Sequence, residues 1–183
     1  MPDNTPNIPN QGSQAFAHMY NDLRAIAGSM CNSPGASATL QPTALVNEVY
    51  LKLAKSLDAT TQMDDDHLLA TAALAMRQVF ADHARSLNTQ KRGDGWQRVT
   101  ISNVQQPDEP ELAFDLLQLE ELLTELGNYD QRQLKVVELR FFGAMTYDQI
   151  ARVLNITPKR VELDWRMARA WLAVKLKESQ ADE

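Results

Sequence analysis

Residues 134–177 constrain the fold more than any other stretch of this chain. Their sequence, LKVVELRFFGAMTYDQIARVLNITPKRVELDWRMARAWLAVKLK, predicts a helix, a short turn, a second helix, a three-residue turn and a long basic helix. Thr146 followed by Gln149 matches a capping box, which marks a helix start. Thr157 is a good N-cap, and Pro158 suits the first position of the last helix. This order of elements is that of a helix-turn-helix motif.

The last helix of the motif has an apolar face and a basic face. The residues at helical spacing that we expect to be buried are Val161, Trp165, Ala168 and Leu172. From Thr157 to Lys177 there are six basic and two acidic side chains, in a chain of net charge −6. Positive side chains on a recognition helix can contact phosphates or base edges of DNA. The alternative is a three-helix core with a solvated charged face, and the pattern alone leaves it open.

Length and composition bound the rest. The 183 residues can hold one or two small domains, 44% of them are hydrophobic, and no alternating β-type run occurs, so we expect an all-α fold. The single cysteine, Cys31, cannot form an internal disulfide, no apolar run is long enough to span a membrane, and the N-terminus does not resemble a secretory signal. These features predict a cytoplasmic protein with no membrane partner.

Charge is segregated along the chain, which predicts two helical domains joined by an acidic linker. Residues 1–13 are expected to be a disordered tail, and residues 14–98 a first domain with helices at 14–30, 43–56 and 67–87. Its segment 75–99 carries five basic and two acidic residues and includes Trp96, so it could bind a nucleic-acid strand or be a solvated helix end. Residues 105–130 hold eight acids and no Lys or Arg. We expect the linker at 99–113 and a second domain at 114–178, with helices from Phe114 to Gly127–Asn128 and from Gln131 to Phe142.

No catalytic or metal-binding pattern is present in the sequence. His18, His67 and His83 are scattered, and there is no phosphate-binding glycine loop and no zinc spacing. Asp82 and His83 are adjacent on a predicted helix and so point about 100° apart. We therefore expect neither an enzyme nor a cofactor.

The segments LQPTALVNEVYLKL, HLLATAALAMRQVFADHAR, KRGDG and VVELRFFGAMTYDQIARVLNITPKRVELDWRMARAWL together resemble one subgroup of the extracytoplasmic-function (ECF) type of bacterial sigma-70 factors. The resemblance runs from about Phe16 to Leu176. It implies that residues 14–98 are sigma region 2, which docks on core RNA polymerase and melts the −10 promoter element. It also implies that residues 114–178 are region 4, which reads the −35 element. The implied partners are core polymerase, through its beta-prime clamp and beta flap, and promoter DNA.

The resemblance also assigns residues to these roles. It implies polymerase contacts by Leu45, Asn47, Glu48 and Tyr50. It implies −10 contacts by Arg77, Gln78, Arg85, Lys91 and Arg92, with Asp82 holding a basic neighbour. It implies −35 contacts by Thr157, Lys159, Arg160, Glu162, Leu163, Arg166 and Arg169. Glu162 and Leu163 stand where relatives often have basic residues, so either the promoter differs or these two side chains face away from DNA.

The clamp-binding segment departs from the pattern of the family. Relatives carry acids there, in a pattern such as DAEDLVQEVF, whereas QPTALVNEVY keeps only Glu48, which predicts weak affinity for polymerase. Some members of this subgroup are associated with a serine/threonine kinase, and a phosphate would add negative charge at a helix N-terminus. Thr43 is the first candidate, and Thr39, Thr60 and Thr61 are weaker ones. The alternative is that Thr43 is only a helix cap.

Two other functions remain open from the sequence. The chain could be a stand-alone helix-turn-helix regulator, in which residues 14–95 would be a sensor or a dimer surface. It could also be a sigma-like scaffold that binds only a kinase or an anti-sigma protein, because acids are missing around Thr43.

Overall fold

The computed structural model describes residues 20–21, 23–24, 27–28, 42–56, 64–89, 98–101 and 112–181. These residues form six continuous helices and two short strands, so the all-α prediction is confirmed for the described part of the chain. In chain order they are α1 (Pro42–Ser56), α2 (Asp65–Thr89), β1 (Arg98–Ile101), β2 (Leu112–Asp115), α3 (Leu116–Tyr129), α4 (Gln131–Phe141), α5 (Tyr147–Leu154) and α6 (Pro158–Ala181). Of the helix predicted at 14–30, the described residues are helical, and Leu23 and Ala27 among them are buried.

The first two described helices lie close to their predicted bounds. α1 buries Leu45, Val49 and Leu53, which repeat at the spacing of one helical face. α2 begins two residues before the predicted start, with Asp65 and Asp66 in its first turn. Carboxylates are favourable there because they face the positive end of the helix dipole.

The predicted linker at 99–113 needs a correction at both ends. β1 and β2 pair as an antiparallel ribbon, with Arg98 opposite Asp115 and Ile101 opposite Leu112. Phe114 was predicted to open a helix, but it lies in β2 with its side chain buried. The helix starts at Leu116 because the Asp115 carboxylate accepts the backbone N–H groups of Leu117 and Gln118. Residues 102–111 of the linker lie outside the described residues.

The predicted helix end at Gly127–Asn128 is also wrong. α3 continues to Tyr129, and Gly127 is a buried helical residue. A Cβ at Gly127 would lie 2.7 Å from Leu134 Cδ2, so this glycine allows α4 to approach α3 closely. Asp130 separates the two helices, because its carboxylate accepts the N–H groups of Arg132 and Gln133 at the start of α4.

The helix-turn-helix boundaries are confirmed. Thr146 and Gln149 form the capping box at the start of α5. Asn155 ends α5 in the left-handed conformation, at φ 53°, which Asn tolerates better than most residues. The Thr157 hydroxyl accepts the N–H of Arg160, and α6 begins at Pro158. The four residues of α6 that were predicted to be inward, Val161, Trp165, Ala168 and Leu172, are buried.

A single apolar core runs through both predicted domains. Its buried side chains come from α1 and α2 and also from α3 to α6. α2 is the central element, since it packs against α1 on one side and against α3, α4 and α5 on another. The two predicted domains therefore lie against each other in this structure.

Candidate nucleic-acid interface

The outward face of α6 carries most of the residues predicted to contact the −35 element. Thr157 at its N-cap and the helix residues Lys159, Arg160, Glu162, Leu163 and Arg166 are all exposed. Leu163 is four residues after Lys159 and three before Arg166, so the three side chains share one helical face. Glu162, three residues after Lys159 and four before Arg166, is exposed on the same face, and contact of this face with DNA stays a prediction.

Arg169 lies elsewhere. It is only 8% exposed, and its guanidinium carbon is 5.7 Å from the centre of the Trp165 ring. A guanidinium within about 6 Å of the centre of an aromatic ring is attracted to the ring face. Arg169 therefore helps to seat α6 and is not part of its outward face.

A buried carboxylate fixes the position of Arg160. Asp164 is fully buried in α6, and it accepts hydrogen bonds from Arg132 Nε of α4 at 2.6 Å and from Arg160 Nε at 3.3 Å. Arg160 Nη2 also lies 3.1 Å from the second carboxylate oxygen. The side chains of Arg132 and Arg160 are 41% and 44% exposed, so both guanidinium groups reach the surface beside each other.

Arg132 is a surface cation that the sequence interpretation missed. The hydrogen bond with Asp164 is the main reason that the pKa of Arg132 is raised, so its positive charge is secure. A signal for it was present in the sequence. Asp164 stands between Val161, Trp165 and Ala168 on the apolar face of α6, and a carboxylate buried there requires a cation from another element.

A second missed residue, Arg140, braces the motif from inside. Its Nη1 donates to the carbonyl oxygen of Met145 at 2.7 Å, and its guanidinium lies 4.7 Å from the centre of the Tyr147 ring. It is also 6.0 Å from the Trp165 ring. One buried arginine thus ties the turn between α4 and α5 to both helices of the motif.

The outward side of α2 carries part of the predicted −10 contact set. Gln78 and Arg85 are exposed, and both donate to Asp82 Oδ1 at 3.0 Å. Lys52 of α1 donates to the other oxygen of Asp82 at 2.8 Å. That hydrogen bond is the main reason that the pKa of Asp82 is lowered, against the opposing effect of burial. Asp82 thus holds basic neighbours in place, as was expected. Lys91 and Arg92 lie outside the described residues.

Arg77 was predicted to belong to the same set, but it points toward the other half of the protein. Its two terminal nitrogens lie 3.3 Å from Glu138 Oε1 of α4 and 3.4 Å from Glu120 Oε1 of α3. The Arg77 side chain is only 14% exposed. Burial raises the pKa of both carboxyl groups, and the charge of Arg77 partly offsets this effect.

On α1, the residues predicted to bind polymerase divide between the core and the surface. Asn47 and Tyr50 are exposed and Glu48 is half-buried, whereas Leu45 is buried in the core. Leu45 therefore packs α1 in place and does not face outward. Thr43 is exposed in the first turn of α1, which contains no acid. Thr39, Thr60 and Thr61 lie outside the described residues.

Among the described residues, no cluster of His, Cys, Asp or Glu could hold a metal ion. None of the helices in that part of the chain combines the length and the apolar character needed to cross a membrane.

The fold and its exposed basic helix define a helix-turn-helix protein of the nucleic-acid-binding class. A family model described as ECF sigma factor matches residues 9–178, and the chain therefore belongs to the ECF sigma factor family. No match was found among curated proteins or among solved structures. Sigma factors are non-enzymatic transcription factors that bind core RNA polymerase and promoter DNA and direct the start of transcription, so these are the partners that the family implies.

Proposed function

We propose that this chain is a promoter-specificity subunit that reads the −35 element with α6 and the −10 element with α2 and the segment after it. The observation that carries the proposal is the surface of α6, where Lys159 and Arg166 are exposed and Asp164 holds Arg160 in place. A buried carboxylate that orients an arginine prepares its remaining N–H groups for base edges or phosphates. The proposed place of action is the cytoplasm.

The proposed −35 surface has six predicted members and one addition. The predicted members are Thr157, Lys159, Arg160, Glu162, Leu163 and Arg166, and the addition is Arg132. Arg169 is left out because it is stacked on Trp165. The exposed Leu163 could contact a thymine methyl group, which suits a promoter unlike those read by relatives with a basic residue there.

Substitutions in α6 test this surface. Arg160→Ala and Arg166→Ala should each weaken promoter binding by about 1–3 kcal/mol if the arginine contacts a base, or less if it contacts only a phosphate. Lys177→Ala is the matched control, because it removes an exposed positive charge from the far end of the same helix. Promoter-specific transcription that is equal in all three variants would show that α6 is not the recognition helix.

The proposed polymerase-binding face is the outward side of α1, formed by Asn47, Glu48 and Tyr50. The exposed Leu51 adjoins it, while Leu45 supports it from the core. This face has a single acid, Glu48, so the affinity of the unmodified chain for the beta-prime clamp is expected to be weak.

Phosphorylation of Thr43 by a serine/threonine kinase is the proposed source of the missing charge. Thr43 is exposed to a kinase, and it lies in the first turn of α1, where a phosphate would be stabilised by free backbone N–H groups and the helix dipole. A phosphate adds about −1.5 to −2 charges at neutral pH. The modified residue would stand on the same helix as Asn47 and Tyr50.

A pull-down with core polymerase tests this switch. Thr43→Glu should bind more core enzyme than the unmodified parent. Thr43→Ala that has been incubated with kinase should bind no more core enzyme than the unmodified parent. Ser179→Glu is the matched control, since it adds the same charge at an exposed position near the end of α6. The switch is refuted if Thr43→Glu and Ser179→Glu bind core enzyme equally.

A further inference from the structure

We propose that the described conformation is a closed, inactive state of the sigma factor, held by a latch in which Arg77 of α2 binds Glu120 of α3 and Glu138 of α4. The inference rests on the proposed function, because it gives Arg77 two alternative partners: these glutamates in the closed state and the −10 strand in the open one. Release of the latch would then be a step in forming the active complex with polymerase.

The latch is part of a continuous contact along one face of α2. Asp66, Ala70, Ala73, Arg77 and Phe80 are spaced by four, three, four and three residues, so they form one stripe on the helix. Its first member, Asp66, accepts a hydrogen bond from Arg152 Nε of α5 at 2.6 Å. Its last member, Phe80, packs edge-on against Phe142 after α4, with ring centres 5.5 Å apart.

In the middle of the stripe Gly143 lies close to the Ala73 side chain of α2. A Cβ built on Gly143, in the turn between α4 and α5, would lie 2.9 Å from Ala73 Cβ. Ala73 itself is fully buried, so a larger side chain at residue 73 has to displace its neighbours. Ala73 is therefore a position where a larger side chain acts on the contact directly.

Arg77 cannot serve a nucleic-acid strand in this conformation. Its side chain is largely buried, and two of its nitrogens are occupied by carboxylates from two different helices. Gln78 and Arg85 are exposed at the same time, so the closed state presents only part of the predicted −10 set. Separation of α2 from α3 and α4 would uncover the missing cation next to them.

The chemistry of the contact suits a latch that opens. Ion pairs with Arg77 and Asp66 contribute less net stability than apolar packing of the same size, because each charge loses hydration on burial. When the contact separates, four largely buried charged side chains regain water, so opening exposes less apolar surface than the separation of a purely hydrophobic interface. The side chains are Asp66, Arg77, Glu120 and Glu138, whereas Arg152 is already exposed.

A wedge variant tests the inference. Ala73→Gln places a larger side chain in the close contact, and Leu74→Gln is the matched control, because it puts the same side chain on the adjacent, exposed position of α2. Binding of a short fluorescent single-stranded DNA of mixed sequence is measured by anisotropy, and opening of α2 by amide hydrogen exchange. We expect Ala73→Gln to bind the DNA strand roughly tenfold more tightly than Leu74→Gln does. This is the change expected when the fraction of molecules in the open, binding-competent state rises from about a tenth to nearly all.

A reversible cross-link supplies the opposite perturbation and does not depend on the folding of the wedge variant. In a Cys31→Ser background, Asp66→Cys and Arg152→Cys are joined by a short bis-methanethiosulfonate reagent, which reductant removes. The linked protein should bind the strand about tenfold more weakly than the same protein after reduction. Equal binding before and after reduction would overturn the latch.

Hydrogen exchange separates the two ways of failing. If α2 stays as protected in Ala73→Gln as in Leu74→Gln, there is no latch, whatever the function of α2. If protection is lost but strand binding does not improve, Arg77 does not contact the −10 strand. The proposed function of α2 is then overturned, and so is the proposal that the contact inhibits strand binding.

Discussion

Replacement of Arg132 by alanine should reveal how strongly the buried Asp164 carboxylate depends on its partners. The variant removes the shortest of the hydrogen bonds to Asp164, at 2.6 Å, and leaves only the contacts from Arg160 at 3.3 Å and 3.1 Å. Breaking a fully buried ion pair costs about 3–5 kcal/mol, and a hydrogen bond to a charged group contributes about 1.5–3 kcal/mol. Arg132 is 41% exposed and Arg160 remains, so the expected loss is about 2 kcal/mol in the free energy of unfolding.

Urea unfolding followed by tryptophan fluorescence measures this loss, because the buried Trp165 is next to Asp164 in α6. With a urea slope of about 2 kcal/mol per molar, the midpoint should fall by about 1 M while the slope is unchanged. Lys135→Ala, which removes an exposed cation from the same helix, should change stability by less than about 0.5 kcal/mol. If the two variants unfold at the same urea concentration, Arg132 does not hold Asp164 and the geometry assigned to Arg160 loses its support.

Three further predictions follow from other contacts. Burial is the main reason that the pKa of Glu138 is raised above its ordinary value of 4.5. Protonation of Glu138 therefore adds to the free energy of unfolding. This contribution is complete below pH 4.5 and is lost as the pH rises through the raised pKa of the folded state. Urea titrations at several pH values should therefore show Glu138→Gln gaining stability relative to the parent as the pH rises, and a constant difference would contradict this. Asn155→Ala should lower the free energy of unfolding by about 1 kcal/mol, because residue 155 has a left-handed backbone, whereas Asn155→Gly should lower it less. Thermal melts measure both variants, and equal melting temperatures would refute this reasoning. Gly143→Ala should destabilise by about 1–3 kcal/mol because its Cβ would lie 2.7 Å from the Leu139 carbonyl oxygen, and an unchanged melting temperature would show that the turn relaxes freely.

The features that were predictable from the sequence are those decided by neighbouring residues. The capping box of Thr146, the left-handed Asn155 and the cap by Thr157 each depend on a span of three or four residues, so the bounds of α5 and the start of α6 could be predicted. The family resemblance is carried by the same local segments, and the family match confirms it at the level of ECF sigma factors. The kinase association and the individual contact residues remain proposals.

The features that could not be predicted depend on residues distant in sequence. The start of α3 moved by two residues because β2 pairs with β1, and helical spacing in a leucine-rich segment does not reveal a strand partner. Gly127 is a helix-terminating signal by composition, but here it lies inside α3 against the Leu134 side chain of α4. Arg77 looked like a surface cation because its partners, Glu120 and Glu138, lie 43 and 61 residues further along the chain.

We propose that this chain gives core RNA polymerase its promoter specificity. Reconstitution tests it directly: core enzyme, a library of upstream fragments from the source genome, and either the parent or Thr43→Glu, with run-off transcripts mapped to their start sites. We expect a defined set of start sites that depends on the added protein, is stronger with Thr43→Glu, and is lost when Arg160→Ala and Arg166→Ala are combined. A role in promoter specificity is contradicted if neither protein yields a defined start site with core enzyme while the protein alone binds duplex DNA tightly, which is the behaviour of a stand-alone regulator.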